Sequence, residues 1–113
     1  MRSRGDPPGR GPRSRYWPAS LGERGVYVIY MRFPAGFRNP PHFHPDERIV
    51  TILSGTLLVG YGEQFDESAM KALPAGSMFI EPAKQPHFAW ARDGEVVLQV
   101  VGHGPSDTTW SSK

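Results

Sequence analysis

The chain has 113 residues, a formal net charge of +2 and no cysteine, which bounds it to one domain and excludes disulfides, thiolate zinc sites and cysteine nucleophiles. No run approaches the roughly 18 uninterrupted apolar residues of a membrane span, and the N-terminus lacks the apolar core of a signal peptide, so a cytoplasmic protein with no membrane partner is expected. The first 24 residues hold six arginines against Asp6 and Glu23, while the remainder carries seven basic and nine acidic side chains; a basic tail on a slightly acidic domain does not resemble a nucleic-acid-binding face, and no nucleic-acid partner is expected.

In chain order, residues 1–24 are rich in Arg, Gly and Pro and poor in apolar side chains. Such a segment buries too little surface to offset the entropy of ordering, so a disordered tail is expected there and a folded domain over residues 25–113. From Gly25 short apolar runs alternate with turn residues about every ten positions: Val26–Phe33, Arg48–Leu53, Thr56–Tyr61, Met78–Ile80, His87–Ala91 and Glu95–Val101. Their Val, Ile, Tyr, Phe and Trp content favours pleated, half-buried surfaces. Pro34-Ala35-Gly36, Asn39-Pro40-Pro41, Ser54-Gly55 and Pro74-Ala75-Gly76 punctuate them as turns or strand edges, and Asp93-Gly94 between two runs predicts a two-residue hairpin. Asp66–Leu73 alone has room for a helical turn. The fold class is therefore all-β, a sandwich or barrel.

His42 and His44 are one residue apart, and His87 follows Pro86. In an extended strand alternate side chains share a face, so the first two imidazoles can meet at one point, and a third from a distant strand would complete a metal site. Without cysteine, any metal must be held by nitrogen and oxygen. His103, in Gly-His-Gly-Pro, reads as a loop residue. Phe79, Phe88, Trp90, Tyr27 and Tyr30 read as core aromatics rather than substrate-stacking groups. Gln99 interrupts an apolar strand, which predicts that it lines a cavity.

Gly36, His42, His44 and Gly55 stand at the spacing of the first cupin motif (Gly, five residues, His-x-His, a Glu, six residues, Gly), and Gly76, Pro82 and His87 at that of the second (Gly, five residues, Pro, then His). Over residues 25–104 the chain resembles small single-domain bacterial cupins. The resemblance implies a double-stranded β-helix, or jelly-roll barrel, with one divalent transition metal (iron, zinc, nickel or manganese) on His42, His44 and His87. It also implies a small organic substrate, and chemistry of the dioxygenase or of the isomerase or lyase type. A non-catalytic sensor or ligand-binding module is the alternative.

The motifs are altered at three places. Arg48 occupies the position of the family's carboxylate ligand, with Glu47 one residue before it, and in a regular strand the two point to opposite faces. If Arg48 faces inward, three histidines hold the metal beside a fixed cation suited to an anionic substrate; if a bulge shifts the phase, Glu47 becomes the fourth ligand; otherwise the two form a surface ion pair. Arg48, Val50 and Ile52 continue as one strand face, which favours the first arrangement. Lys84 and Ala91 replace a Gly and an Asn of the second motif. Exposed sheet edges of such a sandwich predict a homodimer.

Overall fold

A computed structural model describes residues 13–18 and 22–111. Among the described residues ten strands form: β1 Arg13–Pro18, β2 Gly25–Phe33, β3 Arg38–Phe43, β4 Arg48–Ser54, β5 Thr56–Tyr61, β6 Lys71–Pro74, β7 Met78–Glu81, β8 His87–Trp90, β9 Val96–Gly104 and β10 Thr109–Trp110. They build two five-stranded sheets, ordered β1-β2-β9-β4-β7 and β10-β3-β8-β5-β6, with every pairing antiparallel. This is the all-β cupin-type barrel that the motifs imply. No helix among the described residues is long and apolar enough to cross a membrane.

The strands form where alternation between burial and exposure is cleanest. Along β4, Arg48, Val50 and Ile52 are buried while Ile49 and Leu53 face out; along β9, Val96, Leu98 and Val100 are buried. Together with Ile29, Phe33 and Leu57 they fill the space between the sheets, each contributing about 1.5–3 kcal/mol by leaving water. Gly60 lies against the Phe88 ring, so closely that a Cβ there would overlap it. That ring, on the far side of β8, is covered by Phe65 at 5.2 Å.

Four expectations change. β1 lies inside the stretch read as a disordered tail, pairing from Arg13 opposite Arg32 to Pro18 opposite Tyr27; edge pairing uses main-chain hydrogen bonds, which an apolar-poor segment can still make, and the rest of that stretch up to residue 21 lies outside the described residues. The turn at Asp93-Gly94 joins β8 to β9, which belong to different sheets, so it is a crossover between layers and not a hairpin. Of Asp66–Leu73, only Glu67–Ala69 coils, as a 3-10 turn capped by the Asp66 side chain, and β6 follows because Leu73 pairs across from Leu57. β3 forms through Pro40-Pro41, where the register with β8 shifts between Asn39 and His42, a bulge of the kind that tolerates proline.

Candidate metal centre

Strand direction brings one end of β2, β3, β4, β7 and β8 together, and the first or last inward residue of each is polar: Tyr27, His42, Arg48, Glu81 and His87. His42 and His87 are cross-strand partners, and His44 lies just past β3. The ring centroids stand 4.3 Å (His42–His87), 4.9 Å (His42–His44) and 5.2 Å (His44–His87) apart. One nitrogen of each ring lies within 4.8 Å of those of the other two. All three side chains are buried.

Main-chain carbonyls orient the rings. His42 Nδ1 lies 2.7 Å from the Pro40 carbonyl oxygen, His44 Nδ1 2.9 Å from that of Asp107, and His87 Nδ1 3.1 Å from that of Gln85. A carbonyl oxygen only accepts, so each Nδ1 carries the proton and, in a neutral ring, each Nε2 presents a bare lone pair. Burial pushes His42 down to about 4, assisted by His87, and His44 down to about 4, assisted by Arg48; both are neutral at pH 7. The turn after β7 also holds His44 in place: the Lys84 N–H donates to its carbonyl at 2.7 Å, with Lys84 itself at φ 64°, the left-handed conformation that the motif's Gly would take readily.

Into the same space points Glu81, its Oε2 3.2 Å from His87 Nε2 and its Oε1 3.7 Å from His44 Nε2. His87 Nε2 is buried without a hydrogen-bond partner despite its nearness to Glu81. Three lone pairs and a carboxylate converge with no donor among them, an arrangement that a divalent cation relieves. The residues present therefore fit a metal, and the nitrogen-rich set suits first-row transition ions.

Arg48 is buried beside this cluster. Its Nη2 donates to Ser106 Oγ at 2.9 Å, Ser106 donates to Asp46 Oδ1 at 2.5 Å, and Tyr27 Oη donates to Asp46 Oδ2 at 2.7 Å. The His103 N–H adds a third hydrogen bond to Asp46 at 3.2 Å. Burial raises the Asp46 carboxyl, but these hydrogen bonds and Arg48 outweigh it and leave it lowered; Tyr27 is pushed up to about 12 chiefly by burial. Gly102 makes room for the network, since a Cβ there would overlap the Tyr27 hydroxyl and Asp46. The cluster opens on a cavity of about 310 Å³, walled by Leu57, Val59, Leu98 and Val100 with Trp110 at its rim.

The sequence-derived site residues divide accordingly. His42, His44, His87 and Arg48 meet in the cavity. Glu47 is exposed: β4 keeps its phase, so Glu47 falls on the outer side and is not the carboxylate near the histidines. Gln99 does not line the cavity; it lies on the outer face of β9, where its amide donates to the Tyr30 hydroxyl at 3.4 Å, because the alternation that buries Leu98 and Val100 turns it outward. Tyr30 shares that outer face. His103 lies in β9 with its side chain exposed. Phe79 walls the cavity, whereas Trp90 lies under the Arg38 guanidinium at 4.1 Å. Glu81, Asp46 and Ser106 escaped the sequence reading. For Glu81 the alternation Met78 out, Phe79 in, Ile80 out was the available signal.

A family model for the cupin domain matches residues 29–103. Germin-like protein 9-1 of Oryza sativa subsp. japonica is 33% identical over 86 residues, 74% of this chain and 34% of that protein, so the chain spans about a third of that relative. Among solved structures, DMSP lyase DddQ from Ruegeria pomeroyi DSS-3 superposes with a TM-score of 0.76 at 20% identity, covering 89% of this chain and 52% of that one. A recombinant oxalate oxidase in complex with glycolate gives a TM-score of 0.69 at 25% identity, covering 97% and 59%. With two thirds of its residues under the family model and both motifs folded around one histidine cluster, the chain belongs to the cupin family.

Proposed function

We propose that this chain is a metal-dependent enzyme acting on a small organic anion, of the dioxygenase or the isomerase or lyase type, with His42, His44 and His87 holding one divalent transition metal. The observation that carries the reading is the tautomer arrangement: three Nδ1 atoms committed to carbonyls and three Nε2 lone pairs aimed into a cavity large enough for a small molecule. A divalent ion there would supply Lewis acidity and, as iron, oxygen chemistry. The chain's own residues do the rest. Leu57, Val59, Leu98 and Val100 exclude water, and Arg48 supplies a fixed positive charge within the wall, suited to a substrate carboxylate or enolate. A structural neighbour that binds glycolate supports a small carboxylate as substrate class.

Metal content per chain tests this reading first, in wild type beside His42→Ala and His87→Ala. A near-stoichiometric metal lost in both variants is expected; oxygen uptake and substrate depletion with two- to five-carbon carboxylates then separate oxygenase from lyase or isomerase. A wild-type protein that binds no iron, zinc, nickel or manganese after reconstitution would sink it. The binding-module reading has one observation in its favour: Arg48 already spends a hydrogen bond on Ser106, leaving less of it for a substrate that must turn over.

For assembly we propose a homodimer through the outer face of β4 and β7. What supports it is an apolar strip in which Ile49 pairs across from Ile80 and Thr51 from Met78, with Ile49 42%, Ile80 48% and Met78 64% exposed, a contiguous apolar surface of the kind that marks interaction sites. Light scattering of wild type beside Ile80→Asp tests it, with a dimer mass for the first and a monomer mass for the second expected.

A further inference from the structure

We infer that the carboxylate ligand of this centre has moved one strand over: Glu81 on β7, a position that neither cupin motif assigns to a ligand, stands in for the Glu that Arg48 displaces on β4. The inference rests on the proposed metal site and adds a fourth protein ligand to it. Its foundation is register. Arg48 and Glu81 are direct partners across the β4–β7 ladder, and both turn inward in the alternation of their strands. Opposed residues in an antiparallel pair stand about 4.5–5.5 Å apart, so exchanging them moves a carboxylate by no more than that while leaving it at the same end of the barrel.

The shorter separation matches coordination. Ligands about 2.1 Å from a shared ion stand about 3.0 Å apart at an octahedral corner and about 3.4 Å in a tetrahedron. Glu81 oxygens lie 3.2 Å from His87 Nε2 and 3.7 Å from His44 Nε2, one oxygen for each ring. A largely buried carboxylate ordinarily accepts a hydrogen bond or neutralises a cation, and Glu81 does neither. It has no hydrogen bond from His87, whose Nδ1 faces the Gln85 carbonyl and whose Nε2 is unpartnered. Nor is it the counter-ion of Arg48: among the described residues the ionic contact of Arg48 is Asp46, at 3.9 Å. The carboxylate thus faces two imidazole nitrogens across a gap that a cation would fill. Four protein ligands would leave further positions of a six-coordinate ion open to a substrate or water.

Co(II) titration of wild type, Glu81→Gln and His87→Ala, with thermal midpoints recorded alongside, tests the assignment. Glu81→Gln is isosteric and is expected to stay folded, to weaken Co(II) binding by about 100-fold or more, at or beyond the upper end of what supporting residues cost, and to change the visible ligand-field spectrum. X-ray absorption of the Co(II)-loaded wild type gives a readout free of any variant, with three imidazoles and one carboxylate oxygen expected at about 2.0–2.2 Å. Co(II) affinity and spectrum unchanged in Glu81→Gln, with binding lost in His87→Ala, would overturn the Glu81 assignment and leave the three-histidine site standing; so would absorption data showing imidazoles without a carboxylate. A wild type that binds no Co(II) would remove both.

Discussion

The two ends of the barrel are made by the same strands to opposite purposes. At one end, the inward residues are Ile52, Ala91 and Val96, an apolar core; at the other they are Tyr27, His42, Arg48, Glu81 and His87. A single strand makes the passage: β4 begins with Arg48 and continues inward as Val50 and Ile52. Apolar burial at the core end stabilises the fold enough to tolerate four converging lone-pair and carboxylate groups at the other. Stability and metal binding should therefore separate by position along the strands.

The largest expected separation comes from a matched pair of truncations. Ile52→Ala should lower the stability of the folded domain by about 2–5 kcal/mol, by urea denaturation, with metal per folded chain unchanged. His87→Ala should abolish metal binding while moving the urea midpoint of the metal-free protein far less. If Ile52→Ala removed metal at temperatures where it stays folded, the two ends would not be independent.

Acid should attack only the polar end. His42 and His44 are pushed down to about 4 by burial, while an unfolded histidine titrates near 6.5. Between those values the unfolded state binds more protons, so the stability of the metal-free protein is full above about pH 6.5 and falls as the pH drops towards 4. On the order of 3 kcal/mol per imidazole is at stake across that window. Urea midpoints measured from pH 7.5 to 4.5 should show this loss, and a flat profile would mean that the imidazoles are not buried neutral.

Between these effects and none lies the hydrogen-bonded network behind the site. Ser106→Ala removes the acceptor of Arg48 and a donor to Asp46 and should cost about 1–3 kcal/mol, with a smaller cost in metal affinity than loss of any histidine. The smallest effects belong to the outer faces: Glu47→Gln and Gln99→Ala should leave stability within about 0.5 kcal/mol of wild type and metal affinity unchanged, and a lost metal in Glu47→Gln would restore the ligand role that its outward direction removes.

What was legible in the sequence was local. Alternation in Arg48–Leu53 and Glu95–Val101 locates β4 and β9 and turns Arg48 inward, and fixed offsets from Gly36 to Gly55 and from Gly76 to His87 mark the three histidines. What was not legible depends on which strands become neighbours. Glu81 looks like the polar end of a short run until β7 is laid against β4, some thirty residues earlier, and becomes the partner of Arg48. The same holds for Asp93-Gly94, whose residues specify a reversal but not which sheet the chain enters next. Asp46 and Ser106 meet only through the return of β9 alongside β4. Gln99 differs in the opposite sense: its polarity suggests a cavity position, but the phase of β9 turns it outward.

The three carbonyls that receive the Nδ1 protons come from Pro40, Gln85 and Asp107, in three separate stretches of main chain. Ring orientation is thereby written chiefly in the backbone path, whose carbonyls do not sense the identity of neighbouring side chains, with the Thr108 hydroxyl 3.3 Å from His44 Nδ1 as an added side-chain contact. Residues on the cavity wall can change in size or polarity over many generations while the imidazoles keep their aim, so the range of molecules admitted can drift under a fixed centre.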